Sequence, residues 1–349
     1  MPARPPEEAM RLALQAFVEA TRKNVVFRRL LRYRPAEALE IAGLNVDCLP
    51  SSLPVRYNET SVEITKEVLF GPKSIVSDSF TPWPFELRLV RYGLKPMALI
   101  HAPALDACRL LHQCRASSLF AILTPYAFDA AGDASAGGYI NIASNTRPAA
   151  AELLGWRGLL VARDLRQLKL GWLSVLFHWD EFLGLLLGYP DCCVRAFRRN
   201  WEAACSSFNG EVGAALLASQ SHAPVDAAHC CMNVFARYFG FHLTEHFPCG
   251  FNCQATVRIG DRLLKGLHHY EPQYAAELAR MLSAPVLYVG AEGTYMFPDA
   301  RWESAGTVLH YSRVLSTIPE SALMTLLNTN RTLPAKTEYG RVMRFPAAA

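Results

Sequence analysis

The pattern of apolar and polar positions switches repeatedly between the period of a helix and that of a strand. Apolar residues three and four positions apart predict helices over residues 104–114, 146–156, 163–175, 179–187, 191–204, 211–220, 226–239, 272–283 and 319–327. Alternating positions and short apolar runs predict strands at 62–64, 68–70, 85–92, 119–123, 159–162, 255–259, 285–289, 294–297 and 307–311. Helices and strands mix without a strict alternation, so we expect an α+β (mixed α/β) fold.

The first 46 residues have a different pattern from the rest. Met10, Leu14 and Phe17 share one face of a predicted helix, a second helix follows over 25–33, and a third runs from Pro35 to Gly43. We therefore predict a small N-terminal helical unit, 1–46, and a mixed α/β domain, 47–349, with a cysteine-rich helical centre. The N-terminal helices are the part of the chain that we expect to contact a protein partner.

Composition narrows the class of protein. The chain has 349 residues, 51% of them hydrophobic and 19% charged, which indicates a folded protein with a sizeable core. A net charge of +4 gives no footprint for nucleic acid. The first residues lack the apolar segment of a secretory signal, and charged residues interrupt the most apolar stretch, 168–189. We expect a cytoplasmic protein that does not span a membrane, whose 10 cysteines stay reduced.

Two adjacent cysteines open a predicted helix. Gly188 can end the preceding helix and Pro190 can begin the next, which puts Cys192 and Cys193 in its first turn. Free backbone N–H groups and the helix dipole favour a thiolate there. Neighbouring side chains on a helix point about 100° apart, so we expect only one of the two to face a common site.

A second cysteine pair lies in a predicted loop. Pro248 precedes Cys249, and three residues including Gly250 separate it from Cys253, a spacing that lets both sulfurs reach one ion or cluster. His229-Cys230-Cys231 lies between the two pairs, and these cysteines are either part of the same site or small buried core residues. The remaining cysteines, Cys48, Cys108, Cys114 and Cys205, are predicted to serve packing only.

The cysteine motifs resemble those of a known family. The string LxGYPxCCVxxF over 186–197, followed by PCxxxC over 248–253, resembles an uncharacterised, mainly archaeal domain-of-unknown-function family. The resemblance covers residues 85–265, includes Tyr92-Gly-Leu-Lys-Pro96, and implies that Cys192, Cys193, Cys249 and Cys253 form one site. It implies no particular activity. Residues 27–44 are similar to nitrile-hydratase-like leader peptides, with Leu53–Tyr57 as the extended part, which implies a biosynthetic, peptide-related setting.

Thiolate ligands and the lack of a carboxylate-rich helix indicate a soft or borderline metal. Our leading hypothesis is a metal-dependent enzyme with an iron–sulfur cluster, bound by Cys192, Cys193, Cys249 and Cys253, that performs redox or sulfur-related modification of a small molecule or peptide. One alternative is a binding module stabilised by Zn²⁺. The other is a metal-free acyl or sulfur transferase with Cys193 as nucleophile and a histidine such as His246 or His229 as base.

Overall fold

The structure is a computed structural model, and its described residues form two compact units. The first unit ends at Tyr189 and the second begins at Pro190. Helices and several small sheets make up both units, which confirms the expected α+β class. The described residues are 53–57, 60–64, 83–128, 146–148, 155–176, 179–207, 212–219, 228–303 and 306–346.

The first unit is an antiparallel sheet covered by helices. Its strands are β1 (Leu53–Tyr57), β2 (Thr60–Ile64), β3 (Met97–Pro103), β4 (Phe120–Phe128), β5 (Thr146–Pro148) and β6 (Trp156–Ala162). Its helices are α1 (Phe85–Arg91), α2 (Ala104–Ala116), α3 (Leu165–Leu176) and α4 (Asp180–Leu186). The sheet order is β3-β6-β4-β5, and β1 and β2 form a separate antiparallel pair.

Alternate residues of β6 pack on opposite sides of this sheet. Leu159 and Val161 are fully buried in the core that includes residues of α1 and α2. Leu160 lies between them and approaches Gly171 of α3. The near-continuous apolar run of β6 therefore follows from burial on both faces.

The two motifs of the first unit that the family resemblance includes lie against each other. Lys95 forms a buried ion pair with Glu86 of α1, and its ammonium lies 5.3 Å from the centre of the Tyr189 ring. Gly188, at φ +83°, packs against Pro96 so closely that a Cβ would lie 3.3 Å from the proline ring. Gly188 and Tyr189 therefore pack against Pro96 and Lys95, in addition to preceding the cysteines in the sequence.

The second unit contains helices followed by two small sheets. The helices are α5 (Asp191–Ser207), α6 (Val212–Ser219), α7 (Gln254–Tyr270), α8 (Pro272–Leu282) and α9 (Ala322–Thr329), with 3₁₀ turns at Cys230–Met232 and Val234–Phe239. The strands are β7 (Val286–Tyr288), β8 (Thr294–Met296), β9 (Arg301–Trp302), β10 (Val308–His310), β11 (Leu315–Ser316), β12 (Thr332–Pro334), β13 (Lys336–Thr337) and β14 (Gly340–Met343). The sheet orders are β11-β8-β7-β14-β13 and β12-β10-β9.

Two predicted strands are helices in the structure. Residues 85–92 alternate in polarity, yet α1 forms after Pro84, whose carbonyl accepts from Leu87 and Arg88. The polar Glu86 is buried because it pairs with Lys95. The alternation of polar and apolar residues in this segment therefore does not mark an exposed and a buried face. Residues 255–259 contain three β-branched side chains but lie in α7, where Thr256, Gly260, Leu263 and Leu267 form one buried helical stripe.

Other boundaries differ in smaller ways. Thr146–Pro148 is a strand paired with β4, where a helix start was predicted. Residues 230–239 form two 3₁₀ turns instead of part of a longer helix, because the side chain of Asn233 caps the second turn at Ala236 N–H. Strand β3 and the strands after Asn330 were not predicted. The predicted unit over 1–46 and the strand at 68–70 lie outside the described residues.

No helix of the described ranges is both long and apolar enough to cross a lipid bilayer.

Residues 53–57, the extended part in the resemblance to leader peptides, form strand β1, which pairs antiparallel with β2.

A glycine of α7 allows Cys231 to approach this helix closely. A Cβ at Gly260 would lie 2.4 Å from Cys231 Sγ and 2.6 Å from its Cβ. We expect Gly260→Ala to reduce the free energy of unfolding by about 1–3 kcal/mol through overpacking, measured by denaturant titration.

The matched control is Gly213→Ala in α6, where the new Cβ would meet side-chain atoms at ordinary distances of 3.4–3.5 Å. There the better helix propensity of alanine predicts a neutral or slightly stabilising change, at most about 1 kcal/mol. Equal stability of the two variants would contradict the close packing of α7 against Cys231.

Candidate metal centre

Four cysteine sulfurs from two segments of the second unit converge. Cys192, Cys193, Cys249 and Cys253 each place a sulfur within 4.8 Å of the other three. The structure thus brings together all four residues that the sequence predicted as ligands. Cys193 and Cys253 are buried, whereas Cys192 and Cys249 are partly exposed.

The first pair is positioned by the start of α5. The preceding helix α4 ends with Gly188 in the left-handed conformation, with Gly188 and Tyr189 N–H groups bonded to the carbonyls of Leu185 and Gly184. Pro190 O then accepts from the N–H groups of Cys193 and Val194, which begins α5 as predicted. Cys192 and Cys193 are consequently the second and third residues of the helix.

Both of these neighbouring cysteines face the site, so the expectation that only one of them would do so was wrong. Their sulfurs lie 3.8 Å apart. The cluster lies near the N-terminal end of α5, where rotation about the Cα–Cβ bonds brings together two side chains that diverge by about 100° around the helix axis.

The second pair is held by a turn and an aromatic contact. The N–H of Cys253 donates to Gly250 O at 3.1 Å, which closes the turn between the two cysteines, and Cys253 caps the N-terminus of α7. Phe247 stacks on Phe197 of α5, at 6.2 Å between ring centres, and the guanidinium carbon of Arg237 lies 4.0 Å from the centre of the Phe247 ring. Phe197, the last residue of the first motif, therefore anchors the loop that carries the second.

The sulfur–sulfur distances match one tetrahedral ion. They are 3.8 Å between Cys192 and Cys193, 3.8 Å between Cys192 and Cys253, and 3.6 Å between Cys193 and Cys253. An ion 2.3 Å from each of four sulfurs would separate them by about 3.8 Å. Cys192, Cys193 and Cys253 thus have the spacing that a single ion requires, and the Cys249 sulfur lies within 4.8 Å of each of them.

A hydroxyl group connects the sulfurs to a buried histidine. Thr256 Oγ1, in the first turn of α7, lies 3.3 Å from Cys193 Sγ and donates to Cys253 Sγ at 3.5 Å. His246 Nε2 lies 2.9 Å from the same oxygen. Because the hydroxyl has one proton, donation to Cys253 leaves the Thr256 oxygen as an acceptor for His246 Nε2–H. His246 thus reaches the sulfurs through Thr256.

The four thiols do not ionise equally. Burial raises the pKa of Cys193 well above its usual range, and burial together with the neighbouring Cys253 raises that of Cys249 to about 12. Burial also opposes ionisation of Cys253, but hydrogen bonds from Thr256 and from the Cys249 and Cys193 thiols outweigh it and lower its pKa to about 6. Among Cys193, Cys249 and Cys253, the lowered pKa makes Cys253 the thiol that ionises most readily near neutral pH, whereas the sequence favoured Cys193 as the nucleophile.

The third cysteine-bearing segment forms a separate group. His229, Cys230 and Cys231 place their ligand atoms within 4.8 Å of one another, apart from the four-cysteine group. Asp261 of α7 lies 3.5 Å from His229 Nε2 and 3.9 Å from Cys231 Sγ. A hydrogen bond with Cys230, burial and the Asp261 charge raise the pKa of Cys231 well above its usual range.

The other cysteines agree with their predicted packing role where they are described. Cys108 and Cys114 are fully buried in the core of the first unit. Cys48 and the side chain of Cys205 lie outside the described residues. None of the described cysteines forms a disulfide.

Thr256 and Asp261 were not among the site residues predicted from the sequence, and one cause explains both. Each residue lies on α7, whose first turns were predicted as a strand. With a helix beginning after Cys253, the spacing of three residues to Thr256 would have indicated a side chain close to the cysteine sulfur.

Replacing Thr256 by valine removes the hydroxyl and nearly preserves the shape of the side chain. We expect Thr256→Val to raise the pKa of Cys253 by about 1 to 2 from its value of about 6, because a hydrogen bond to a charged group is lost. The thiolate ultraviolet absorbance of the metal-free protein, followed against pH, measures this change. Thr256→Ser keeps the hydroxyl and is the control. An unchanged titration in the valine variant would contradict the assignment of the thiolate.

Metal binding by these thiols must release protons. Cys193 and Cys249 are protonated at pH 7 because their pKa values are raised, and ligation requires thiolates. We expect at least two protons released per ion, so the affinity for Zn²⁺ should fall by about 100-fold or more per pH unit on acidification from pH 8 to pH 7. Calorimetry in buffers of different ionisation enthalpy counts the protons. Release of one proton or none would show that Cys193 and Cys249 do not both ligate.

Comparison of the chain with protein-family profiles, characterised proteins and solved structures gave no significant match. The family resemblance of the cysteine motifs consequently stays a prediction. The interpretation of the centre depends on its own geometry.

Proposed function

We propose that the second unit binds a single metal ion, with Zn²⁺ favoured, through Cys192, Cys193, Cys249 and Cys253. The observation that carries the proposal is the mutual distance of the four sulfurs, all within 4.8 Å. Four thiolates around one zinc ion form a closed coordination shell, which is typical of a structural site.

The elements that supply the ligands explain what such an ion would do. Cys192 and Cys193 belong to the first turn of α5, and Cys253 is the N-cap residue of α7. One ion would therefore link the starts of two helices, through cysteines as far apart in the sequence as the 61 positions between Cys192 and Cys253. In the unfolded chain this link is absent, and its free energy therefore adds to the stability of the fold. We propose a zinc-stabilised module as the role of this centre.

The compact spacing favours zinc over the iron–sulfur cluster of our leading sequence hypothesis. In a four-iron cluster each cysteine binds a different iron, and the irons and sulfides between them keep the cysteine sulfurs farther apart than around one ion. The separations of 3.6–3.8 Å among the sulfurs of Cys192, Cys193 and Cys253 leave room for a single ion. A redox or sulfur-modifying enzyme with an iron–sulfur cluster stays a prediction, which elemental analysis for iron and sulfide tests.

One observation favours a second candidate, a metal-free cysteine nucleophile. Cys253 has a pKa of about 6 and contacts Thr256, which in turn contacts His246. That chain of groups could stabilise a thiolate for acyl or sulfur transfer. It differs from the sequence hypothesis in using Cys253 in place of Cys193. Cys253 is 7% exposed, which limits access of a substrate, so we rank this candidate second.

Elemental analysis of the full chain, purified without oxygen, tests the proposal. We expect a colourless protein with zinc bound at this centre, because Zn²⁺ has a filled d shell. Cys249→Ala should lose one equivalent of zinc per chain, since it removes one of the four sulfurs. The control Cys108→Ala removes a buried thiol of the first unit and should keep the full zinc content.

Two outcomes would overturn this assignment. A brown protein with iron and acid-labile sulfide would replace zinc by a cluster. A protein with equal zinc content in the Cys249→Ala and control variants would exclude a metal at these four cysteines, and would favour Cys253 as a nucleophile.

A further inference from the structure

A second group of metal-ligating side chains lies beside α7. Cys230 Sγ is 3.9 Å from His229 Nδ1, and the ligand atoms of His229, Cys230 and Cys231 all lie within 4.8 Å of one another. Two sulfurs and one imidazole nitrogen form a donor set that suits Zn²⁺.

Close packing holds this group in place. Cys230 and Cys231 are 1% and 6% exposed, and Cys231 Sγ occupies the space left by the absent side chain of Gly260. Asn233 Nδ2 donates to Leu282 O at 2.9 Å, which ties the end of the first 3₁₀ turn to α8. The N–H of Cys230 donates to Pro346 O at 3.2 Å. The sulfurs thus have fixed positions before any ion binds.

The histidine is oriented by its two nitrogens. Nδ1 accepts the N–H of Cys231 at 3.3 Å, so the neutral ring carries its proton on Nε2, which faces Asp261 Oδ1 at 3.5 Å. The Nδ1 lone pair lies on the cysteine side and is available to a metal ion that displaces the weak N–H contact. A carboxylate on the other ring nitrogen is the usual partner of a histidine that binds metal.

This group is distinct from the four-cysteine centre. Cys253 and Thr256 lie at the start of α7, whereas Gly260 and Asp261 follow Cys253 by seven and eight residues. At 1.5 Å per helical residue the offset along the helix is about 10–12 Å, too far for one ion to bind both sets.

We propose that His229, Cys230 and Cys231 form a second zinc site with three protein ligands, oriented by Asp261, whose fourth position takes an oxygen ligand. The buried sulfurs are on one side, and the more exposed His229 and Asp261, with side chains 24% and 36% exposed, are on the solvent side. Three protein ligands with an open position distinguish catalytic zinc sites from closed structural ones. The class of ligand is water or a substrate oxygen.

Zinc titration of metal-free full-length protein tests the proposal independently of the first centre. We expect the wild type to bind two equivalents of Zn²⁺ per chain and His229→Ala to bind one. Cys249→Ala should also bind one, at the second site. The double variant should bind none. The control is His268→Ala, which removes an exposed histidine of α7 and should keep two equivalents.

The titration separates failure of this site from failure of the first. One equivalent in the wild type that only Cys249→Ala removes would overturn the second site and leave the first. One equivalent that only His229→Ala removes would do the reverse. Asp261→Asn should keep two equivalents but bind the second about 10–100-fold more weakly, because the histidine loses its carboxylate partner. Unchanged affinity would overturn the role of Asp261.

Cobalt reports the open position. In Cys249→Ala, Co²⁺ occupies only the second site, and we expect added azide to change its visible spectrum by entering the fourth position. Loss of the change in the Cys249→Ala, His229→Ala double variant assigns it to this group. A spectrum unaffected by azide would overturn the open coordination position. Circular dichroism of each variant confirms that it is folded.

Discussion

The crowding of four cysteine sulfurs is the constraint on which the second unit depends. Thiols gain little from lying 3.6–3.8 Å apart, and burial raises the pKa of both Cys193 and Cys249. A cation that converts all four to thiolates would turn a costly arrangement into a favourable one. The chain geometry on both sides, a proline-led helix and a glycine turn, serves to present these sulfurs.

The supporting contacts give the motif residues physical roles. Gly188 ends α4 in the left-handed conformation, and Phe197 stacks on Phe247 just before the second cysteine pair. Thr256 and His246 form a buried hydrogen-bond chain next to the sulfurs. Groups of this kind orient metal ligands and tune their charge, so the loop, the hydroxyl and the histidine act as one unit with the cysteines.

Helix α7 organises both candidate sites. Its first turn receives Cys253 and Thr256, and its second and third turns bring Gly260 and Asp261 to the group of His229, Cys230 and Cys231. A closed four-sulfur centre and a three-ligand centre on one rigid helix would divide the tasks of stabilising the fold and binding a ligand. Any shift of the helix would affect both centres together.

Sequence alone determined the mixed class of the fold, most helices, and the four cysteines of the first centre, because proline and glycine at helix ends and loop spacing are local signals. It placed Cys108 and Cys114 in the core because cysteine outside turns is most often a buried residue. Only the tertiary structure decided that Cys192 and Cys193 both face the site, that hydrogen bonds lower the pKa of Cys253, and that His229, Cys230 and Cys231 stand apart. Those outcomes depend on α7, whose β-branched start resembles a strand until its buried stripe packs against the rest of the unit.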